Sequence, residues 1–404
     1  MFLIRTLLPA REAEGAHDRG FRWVPDRLLE ILGTGGRGWF LVEWGREPSS
    51  TDPAVVPAGV LITLALASLF PPTTALVLVQ LIAMRSLLAL GAVLVGAVFL
   101  VVAGGLWWRA RRRAVQSGEG VRRAGLRTGV VGMVLLLVAG AHGGVLLARG
   151  VWESPVAADH AGAVGVLNLN TAREGVDVET VAGLADDAGV DVVILPETTQ
   201  RYGQHLAEAL KASAAAKGGE TFAVFSASGM PSDLAERGVG LESDPVHSTT
   251  VLVSSRLGEH RQVQGPTDTG FGAVRLEPAD GDGPVIVGVH TYPPVSGAMA
   301  WWRSSVAGVA SLCSHPPAGL IVAGDLNATR DHAPLRNLGG CASAGEQAGV
   351  GGLATWPSAT GTRWLGTTID HVLVDDGAWR GSGGRVVTVP GTDHRAVVVQ
   401  LTGR

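Results

Sequence analysis

The sequence predicts an apolar membrane region followed by an α/β layered domain, and three observations support this. Hydrophobic residues make up 46% of the 404 residues and charged residues only 17%, and the mean hydropathy is +0.27. The long uncharged runs are concentrated within residues 54–148. After about residue 155, short β-rich runs alternate with Gly, Asp and Pro loops and a few Ala-rich helical stretches. This composition excludes a disordered chain, a coiled coil and a nucleic-acid-binding tail.

The first element along the chain is an arginine-rich segment, residues 1–53, which we expect in the cytoplasm. No apolar run in it ends in a small-residue cleavage site, so we expect no signal peptide.

Three uncharged runs, residues 54–70, 86–106 and 128–148, predict three transmembrane helices. The second and third runs would each be roughly 31 Å long as helices, enough to cross a bilayer. The first run is shorter and closes at Pro71-Pro72, and residues 73–84 are too short to cross again.

Arginine placement predicts the orientation of these helices. The segment 107–127 carries a cluster of arginines against the single acidic residue Glu119, and such loops stay in the cytoplasm. With three spans, we expect the N-terminus in the cytoplasm and the domain 155–404 on the outer side of the cell membrane.

Seven runs in the outer domain predict strands and three predict helices, which together give an α/β domain large enough to bury its own core. The predicted strands are Val164–Leu169, Val190–Leu195, Thr249–Ser254, Val285–Val289, Leu320–Ala323, Ile369–Val374 and Ala396–Leu401. The predicted helices are Val178–Ala188, His205–Ala216 and Ala298–Leu312.

Polar residues follow the ends of these apolar strands, where layered α/β folds place their sites. One such residue alone is more often a turn residue or a structural histidine. Six such positions supply carboxylates, amides and imidazoles together, which favours a catalytic site. They are Asn170, Glu197, His290, Asp325 with Asn327, Asp370, and Asp393 with His394.

These motifs resemble the endonuclease/exonuclease/phosphatase superfamily of Mg²⁺-dependent phosphoesterases over roughly residues 163–402. "VLNLNTAREG", "VVILPET" and "VHTYPP" are similar to its first blocks, and "VAGDLNAT" is close to its G-D-x-N-A signature. "IDHVLV" and "GTDHRAVVVQL" are similar to its last two blocks, while "TWPS" and "DHAPLR" resemble a bacterial membrane-anchored branch. The resemblance implies a four-layer α-β-β-α sandwich, with two mixed sheets flanked by helices.

The resemblance also implies a metal site for Mg²⁺, with Mn²⁺ as an alternative. Glu197 would be the metal ligand, and Asn170 and Asp393 would complete or orient its shell.

The remaining motif residues would carry the catalytic chemistry. Asp325 would hold and polarise the attacking water, and Asn327 would hydrogen-bond a non-bridging phosphate oxygen. His394 would act as base or as a charged phosphate ligand, with Asp370 fixing its ring. His290 would donate to the phosphate from the opposite side.

Two further residues have two open interpretations each, and a third has an expected orientation. Arg173 either lines the substrate cleft or lies on a solvated loop, and Trp356 either walls the cleft or packs in the core. His371 follows Asp370 on one strand, so we expect it to point to the other face.

The charge of the outer domain bears on the substrate. Residues 152–404 are acidic overall, and nucleic-acid binding usually needs a basic face. A lipid headgroup or a small phosphate ester is therefore favoured over extracellular polynucleotide. The alternatives are an extracellular nuclease and a catalytically inactive surface binding or adaptor domain; no protein partner is inferable.

Cys313 and Cys341 are the two cysteines of the chain, and we expect them to form a disulfide. The predicted topology places both outside the cytoplasm, where disulfides persist. The chain runs out along the Asp325 strand and returns, which can bring the two cysteines to one side of the sheet.

Overall fold

The computed structural model describes residues 75–112, 115–156, 162–214, 220–229, 244–265 and 270–404. All of them belong to one compact unit, Trp44–Arg404. The expected cytoplasmic segment 1–53 and the first expected span, 54–70, lie outside the described residues.

The described part begins with a short helix and a long helical hairpin. Helix α1 is Leu76–Ala83, α2 is Arg85–Arg112 and α3 is Val115–Ala148. Both long helices are long and apolar enough to cross a membrane. They pack closely through glycine: a Cβ on Gly96 would meet the Gly132 carbonyl oxygen at 3.0 Å, and one on Gly132 would meet the Gly96 oxygen at 2.9 Å.

Two of the three expected spans therefore coincide with described helices, and three transmembrane helices are not confirmed. The segment 107–127 differs from the expected loop, because most of it is helical. Helix α2 continues to Arg112 and α3 begins at Val115. Alanine, leucine and arginine are good helix formers, so both helices extend past the apolar runs, and the described arginines of this segment lie in the parts of the two helices nearest the tip of the hairpin.

Twelve described strands form two six-stranded sheets. They are β1 Ala163–Asn168, β2 Val192–Pro196, β3 Phe222–Ser228, β4 Ser248–Ser254, β5 His260–Val263, β6 Ala273–Pro278, β7 Ile286–His290, β8 Ile321–Asp325, β9 Cys341–Ser343, β10 Asp370–Asp375, β11 Trp379–Thr388 and β12 Arg395–Gly403. The first sheet has the order β11-β12-β1-β2-β4-β3 and the second β5-β6-β7-β8-β10-β9. Each sheet contains one parallel pair, β1–β2 or β7–β8, among antiparallel pairs.

Helices cover the outer faces of both sheets, so the domain has the expected α/β architecture of two mixed sheets flanked by helices. The helices of the domain are α4 Val178–Asp187, α5 Gln200–Ala214, α6 Met299–Ser314, α7 Ala333–Arg336 and α8 Ala344–Gln347. One apolar cluster fills the space between the sheets. Two others pack α4 and α5 on the first sheet and α6 on the second.

The seven expected strands are all present, and each of their ends lies within two residues of the expected position. Five strands were not predicted: β3, β5, β6, β9 and β11. Four of them are edge strands and β6 pairs with one of these. The residues of β3, β5 and β11 are in large part only partly buried. Because one face meets solvent, they lack the continuous apolar runs that mark the central strands.

Cys313 and Cys341 form a disulfide, as predicted, with 5.1 Å between their Cα atoms. Cys313 lies in the last turn of α6, and Cys341 begins β9 after the short helix α7. The bridge closes the segment of chain that contains β8.

The sheet topology brings the polar strand ends to one edge of the sandwich. The parallel strands β1, β2, β7 and β8 end at this edge, while the antiparallel strands β10 and β12 begin there. The residues at the ends of β1, β2, β7 and β8 and at the starts of β10 and β12 therefore lie close together.

Candidate active site

Asp325 lies at the centre of this edge, at the last position of β8. In the ladder it stands opposite His290 of β7 and Asp370 of β10. Gly324 precedes it with φ +153°, and a Cβ there would meet the Val289 carbonyl oxygen at 1.8 Å. Only glycine fits this close backbone approach, which explains the glycine of the G-D-x-N motif.

His394 and Asp370 form a buried pair next to Asp325. The His394 Nδ1–H donates to Asp370 Oδ2 at 2.9 Å, which leaves Nε2 facing Asp325 Oδ2 at 3.7 Å. Burial disfavours the charged ring, but the Asp370 and Asp325 carboxylates overcome it and raise the pKa of His394 to about 10. His394 is therefore an imidazolium at neutral pH.

The Asp325 carboxylate also faces a second imidazole. His290 Nε2 lies 3.7 Å from the same oxygen, Asp325 Oδ2, and the Phe271 ring packs against His290 with 5.0 Å between ring centroids. Burial lowers the pKa of His290, so this ring is neutral. Burial and the nearby Asp370 carboxylate raise the pKa of Asp325, which makes it a stronger proton acceptor than an ordinary aspartate.

Asn170 connects Asp325 to Glu197. Its Nδ2 donates to Asp325 Oδ2 and to Glu197 Oε1, each at 3.1 Å, while its Oδ1 accepts from the Ala172 backbone N–H at 2.9 Å. Glu197 has a left-handed φ of +57°, an unfavourable backbone conformation that is found more often at functional sites than elsewhere. Two carboxylates thus converge on one amide group.

The Glu197 and Asp325 carboxylates fit a hard divalent cation, because carboxylate oxygens are among its preferred ligands, and the Asn170 Nδ2 group orients both of them. Asp325, Asp370 and His394 also each offer a ligand atom within 4.8 Å of the others. A protonated His394 ring has no lone pair to offer a cation, so the carboxylate oxygens beside Asn170 are the better match to an oxygen-seeking cation.

Asp393 and Trp356 lie together at the rim. The Trp356 Nε1–H donates to Asp393 Oδ2 at 2.9 Å, and the other oxygen of Asp393 lies 3.9 Å from His394 Nε2. The Asp393 side chain is 58% exposed. Trp356 is therefore a half-buried wall of the site rather than a core residue.

Asn327 follows Asp325 on the same loop, and its amide group is bonded to the loop that follows β7. Its backbone N–H donates to Asp325 Oδ1 at 2.8 Å, and its Nδ2 donates to the Thr291 carbonyl at 2.9 Å. With φ +43°, Asn327 shapes the turn. The amide thus joins the loops that follow β7 and β8.

Two other candidates lie outside the centre of the site. The side chain of Arg173 is 66% exposed and pairs with Asp244 at 3.6 Å. His371 points to the opposite face, as predicted, and its ring nitrogen Nε2 bonds the Ala328 carbonyl at 2.9 Å. Burial lowers the pKa of His371 to about 4, consistent with a structural role.

Two residues that position the site, Thr355 and Arg395, were not predicted from the sequence. Thr355 accepts hydrogen bonds from the backbone N–H of Ile369 and of Asp370 at 3.1 and 3.2 Å. Arg395 is buried and its guanidinium binds five groups of the loop that contains Trp356. Those groups are the carbonyls of Ala354, Pro357, Ser358 and Thr362 and the hydroxyl of Thr360. An arginine that opens an otherwise apolar strand was the available signal.

Comparison with known proteins agrees with this geometry. The model of the Endonuclease/Exonuclease/phosphatase family matches residues 164–394, more than half of the chain. No curated protein matches the chain.

Solved structures of several organisms are similar to it. An endonuclease/exonuclease/phosphatase from Beutenbergia cavernae is 18% identical, with 60% of this chain and 72% of that chain covered and a TM-score of 0.42. The human Nocturnin catalytic domain is 15% identical, with 61% and 96% covered and a TM-score of 0.41. An endonuclease/exonuclease/phosphatase from Bacteroides vulgatus is 14% identical, with 60% and 100% covered and a TM-score of 0.42.

Proposed function

The chain belongs to the endonuclease/exonuclease/phosphatase family of phosphoester hydrolases, and from this premise we propose that it is a membrane-anchored, metal-dependent phosphoesterase acting outside the cytoplasm. The observation that carries the proposal is the position of Asp325 between the imidazoles of His290 and His394 and beside the Asn170–Glu197 pair.

The residues around Asn170 would hold the metal. Glu197 would supply the principal oxygen ligand, and Asn170 and Asp393 would complete or orient the shell. Asp325, bonded to the same Asn170 amide group as Glu197, would be close enough to contribute. A bound Mg²⁺ or Mn²⁺ would offset the negative charge of the phosphate and polarise its oxygens.

The two histidines and Asp325 would handle protons and phosphate oxygens. Asp325 orients the attacking water and accepts its proton, since burial and Asp370 raise its pKa. His394 stays protonated at neutral pH, so it binds a phosphate oxygen as a cation rather than acting as base. His290, a neutral ring, donates Nε2–H to another phosphate oxygen, and Asn327 remains a candidate donor beside it.

Membrane anchoring is supported by the hairpin. Its two ends carry exposed tryptophans: Trp107 and Trp108 near the tip, and Trp152 just after α3. Ser86 and Trp107 are separated by roughly 32 Å of helix, close to the thickness of a bilayer core. Tryptophans at both interfaces are typical of membrane spans.

The arginines at the hairpin tip favour a cytoplasmic tip, which leaves the catalytic domain outside. The disulfide supports the same side, because disulfides persist in oxidising compartments. We retain the proposed organisation of a cytoplasmic segment 1–53, a membrane region 54–148 with three spans, and a catalytic domain 155–404.

The substrate we favour is a lipid headgroup or another small phosphate ester, since residues 152–404 are acidic overall and polynucleotide binding usually needs a basic face. An extracellular nuclease is the alternative within the family. A binding or adaptor domain without activity is disfavoured by the assembled constellation around Asp325.

The test uses the full chain in lipid nanodiscs with an aryl phosphodiester and an aryl phosphomonoester. Metal-dependent hydrolysis is expected, and Asp325→Asn should lower kcat at least 1,000-fold, while Asp282→Asn on an exposed turn serves as the matched control. Hydrolysis within a few-fold of wild type in Asp325→Asn would refute the mechanism. A panel of phospholipids, sugar phosphates, nucleotides and DNA then separates the substrate classes.

The orientation is tested separately by reporter fusions. A reporter active only outside the cytoplasm should be active after Arg404 and silent within residues 109–127. The reverse pattern would place the catalytic domain in the cytoplasm.

A further inference from the structure

Residues 79–86 form the end of α1, the residue between the helices and the start of α2, and they contact the second sheet and its loops. We call this segment the elbow. Val79 is fully buried in the apolar cluster on the outer face of the second sheet, with Leu326 and Ala328. The elbow is thus packed into the catalytic domain rather than lying apart from it.

One elbow contact reaches the loop that follows β7. The Gln80 side chain Nε2–H donates to the Pro294 carbonyl at 3.1 Å. Pro294 is four residues after His290, and the same loop contains Thr291, whose carbonyl accepts from the Asn327 amide. The loop behind one phosphate-facing imidazole is therefore tied to α1.

A second set of contacts reaches the loop that follows β8. The Arg85 guanidinium donates to both oxygens of Asp331 at 3.0 and 2.5 Å, and Arg149, just beyond α3, donates to the same oxygens at 2.9 and 2.8 Å. All of these groups are largely buried. Asp331 lies six residues after Asp325, so both ends of the hairpin converge on the loop that begins at the central aspartate.

His332 strengthens this connection. Its Nδ1 accepts from the Thr329 backbone N–H at 2.8 Å, so its Nε2 carries the proton and donates to the Val79 carbonyl at 3.0 Å. Trp302 packs edge-on against the ring and donates its Nε1–H to the Asn327 carbonyl at 3.0 Å. The elbow is thereby linked to Asn327 through two rings.

The third contact reaches the loop that carries Trp356. The Ser86 hydroxyl donates to the Gly366 carbonyl at 2.8 Å and accepts from the Gly366 backbone N–H at 2.9 Å. The adjacent Thr367 pairs with Trp356 through backbone hydrogen bonds, and Trp356 holds Asp393. Ser86 is therefore connected to the Asp393 carboxylate through Gly366, the Thr367–Trp356 backbone pair and the Trp356 ring.

We propose that the elbow is a positioning element of the active site, with Gln80, Arg85 and Ser86 each fixing one of the three loops that follow or face the catalytic strands. The helical hairpin then helps to position the active site as well as anchoring the enzyme to the membrane. The inference rests on the proposed function only for its kinetic readout.

The test compares Gln80→Leu and Ser86→Ala in the full chain in nanodiscs, because each removes the contact to one loop. The control is Arg123→Gln, an exposed residue at the far end of the hairpin. We expect kcat on the aryl ester to fall about tenfold in each variant with KM within twofold, which is less than the roughly 100-fold cost of a 1 Å misplacement. The control should match wild type.

Amide hydrogen exchange gives a readout that does not depend on activity. Ser86→Ala should speed exchange about tenfold in residues 356–367 and leave 291–296 unchanged, whereas Gln80→Leu should do the converse. Unchanged exchange, faster exchange without loss of kcat, or general unfolding of Ser86→Ala would each overturn the proposal. A wild-type chain that hydrolyses no ester would refute the proposed function, while the exchange pattern would still decide whether the elbow fixes these loops.

Discussion

Replacing Asp370 by asparagine should lower kcat about 100-fold. The Asp370 and Asp325 carboxylates raise the pKa of His394 from 6.5 to about 10, so both stabilise the imidazolium. Asp370 is the closer of the two carboxylates, at 2.9 Å against 3.7 Å for Asp325. Asparagine would therefore lower the pKa of His394 and also weaken the hydrogen bond that orients its ring, and a catalytic group misplaced by about 1 Å costs roughly 100-fold in rate.

The same substitution should change the pH profile of the reaction. A raised pKa keeps His394 protonated until the pH approaches 10, so the wild-type rate should fall only at that limit. Without the Asp370 charge the pKa of His394 falls, so the cation is lost at a lower pH and the high-pH decline of kcat should move down accordingly.

The assay measures kcat between pH 6 and 10 on an aryl phosphodiester at saturating metal, with Asp376→Asn as control. That aspartate is about half exposed and pairs with Arg404, so its change should leave the profile unaltered. A kcat within fivefold of wild type, or a high-pH decline that does not move, would refute the assigned role of His394.

Three further predictions concern the metal, the junction with the hairpin and the disulfide. EDTA should abolish hydrolysis and Mg²⁺ or Mn²⁺ should restore it; activity that survives chelation would contradict the metal site. Burial opposes the charge of Asp331, but Arg149 and Arg85 hold its pKa at about 2 against the ordinary 3.8. Asp331→Asn should therefore lower the free energy of unfolding by about 2.5 kcal/mol at pH 7, a difference lost as the pH falls from about 4 to 2 and measured by denaturant unfolding at several pH values. Thiol titration of the denatured, unreduced protein should find no free thiol, and replacing Cys313 and Cys341 by serine should cost roughly 3–4 kcal/mol for a loop of this length.

The central strands could be predicted from the sequence because both of their faces are buried. Continuous apolar runs such as Val192–Pro196 are fully buried in the sandwich and carry their signal locally. The edge strand His260–Val263 has polar, partly exposed residues, so its strand conformation depends on pairing with a neighbour that local sequence does not reveal.

The candidate site shows the same division. Residues directly after apolar strands, such as Asp325 and His290, were identifiable because strand ends meet at one edge of a layered fold. The contacts of Arg85 and Arg149 with Asp331 were not, since they join residues far apart in the chain across a junction that the apolar pattern placed within the membrane region.

The pairing of β1 with β12 makes folding of this domain depend on the end of the chain. The first strand of the domain is flanked by β2 and by the last strand, and Ala163 lies opposite Thr402. Contacts of such sequence separation form slowly, after a costly loop closure. A chain interrupted before residue 395 would leave β1 unpaired on one side, exposed to proteolysis and aggregation. During synthesis, the candidate active site is therefore incomplete until β12 has been made, because His394 reaches Asp370 only when β12 has joined the sheet.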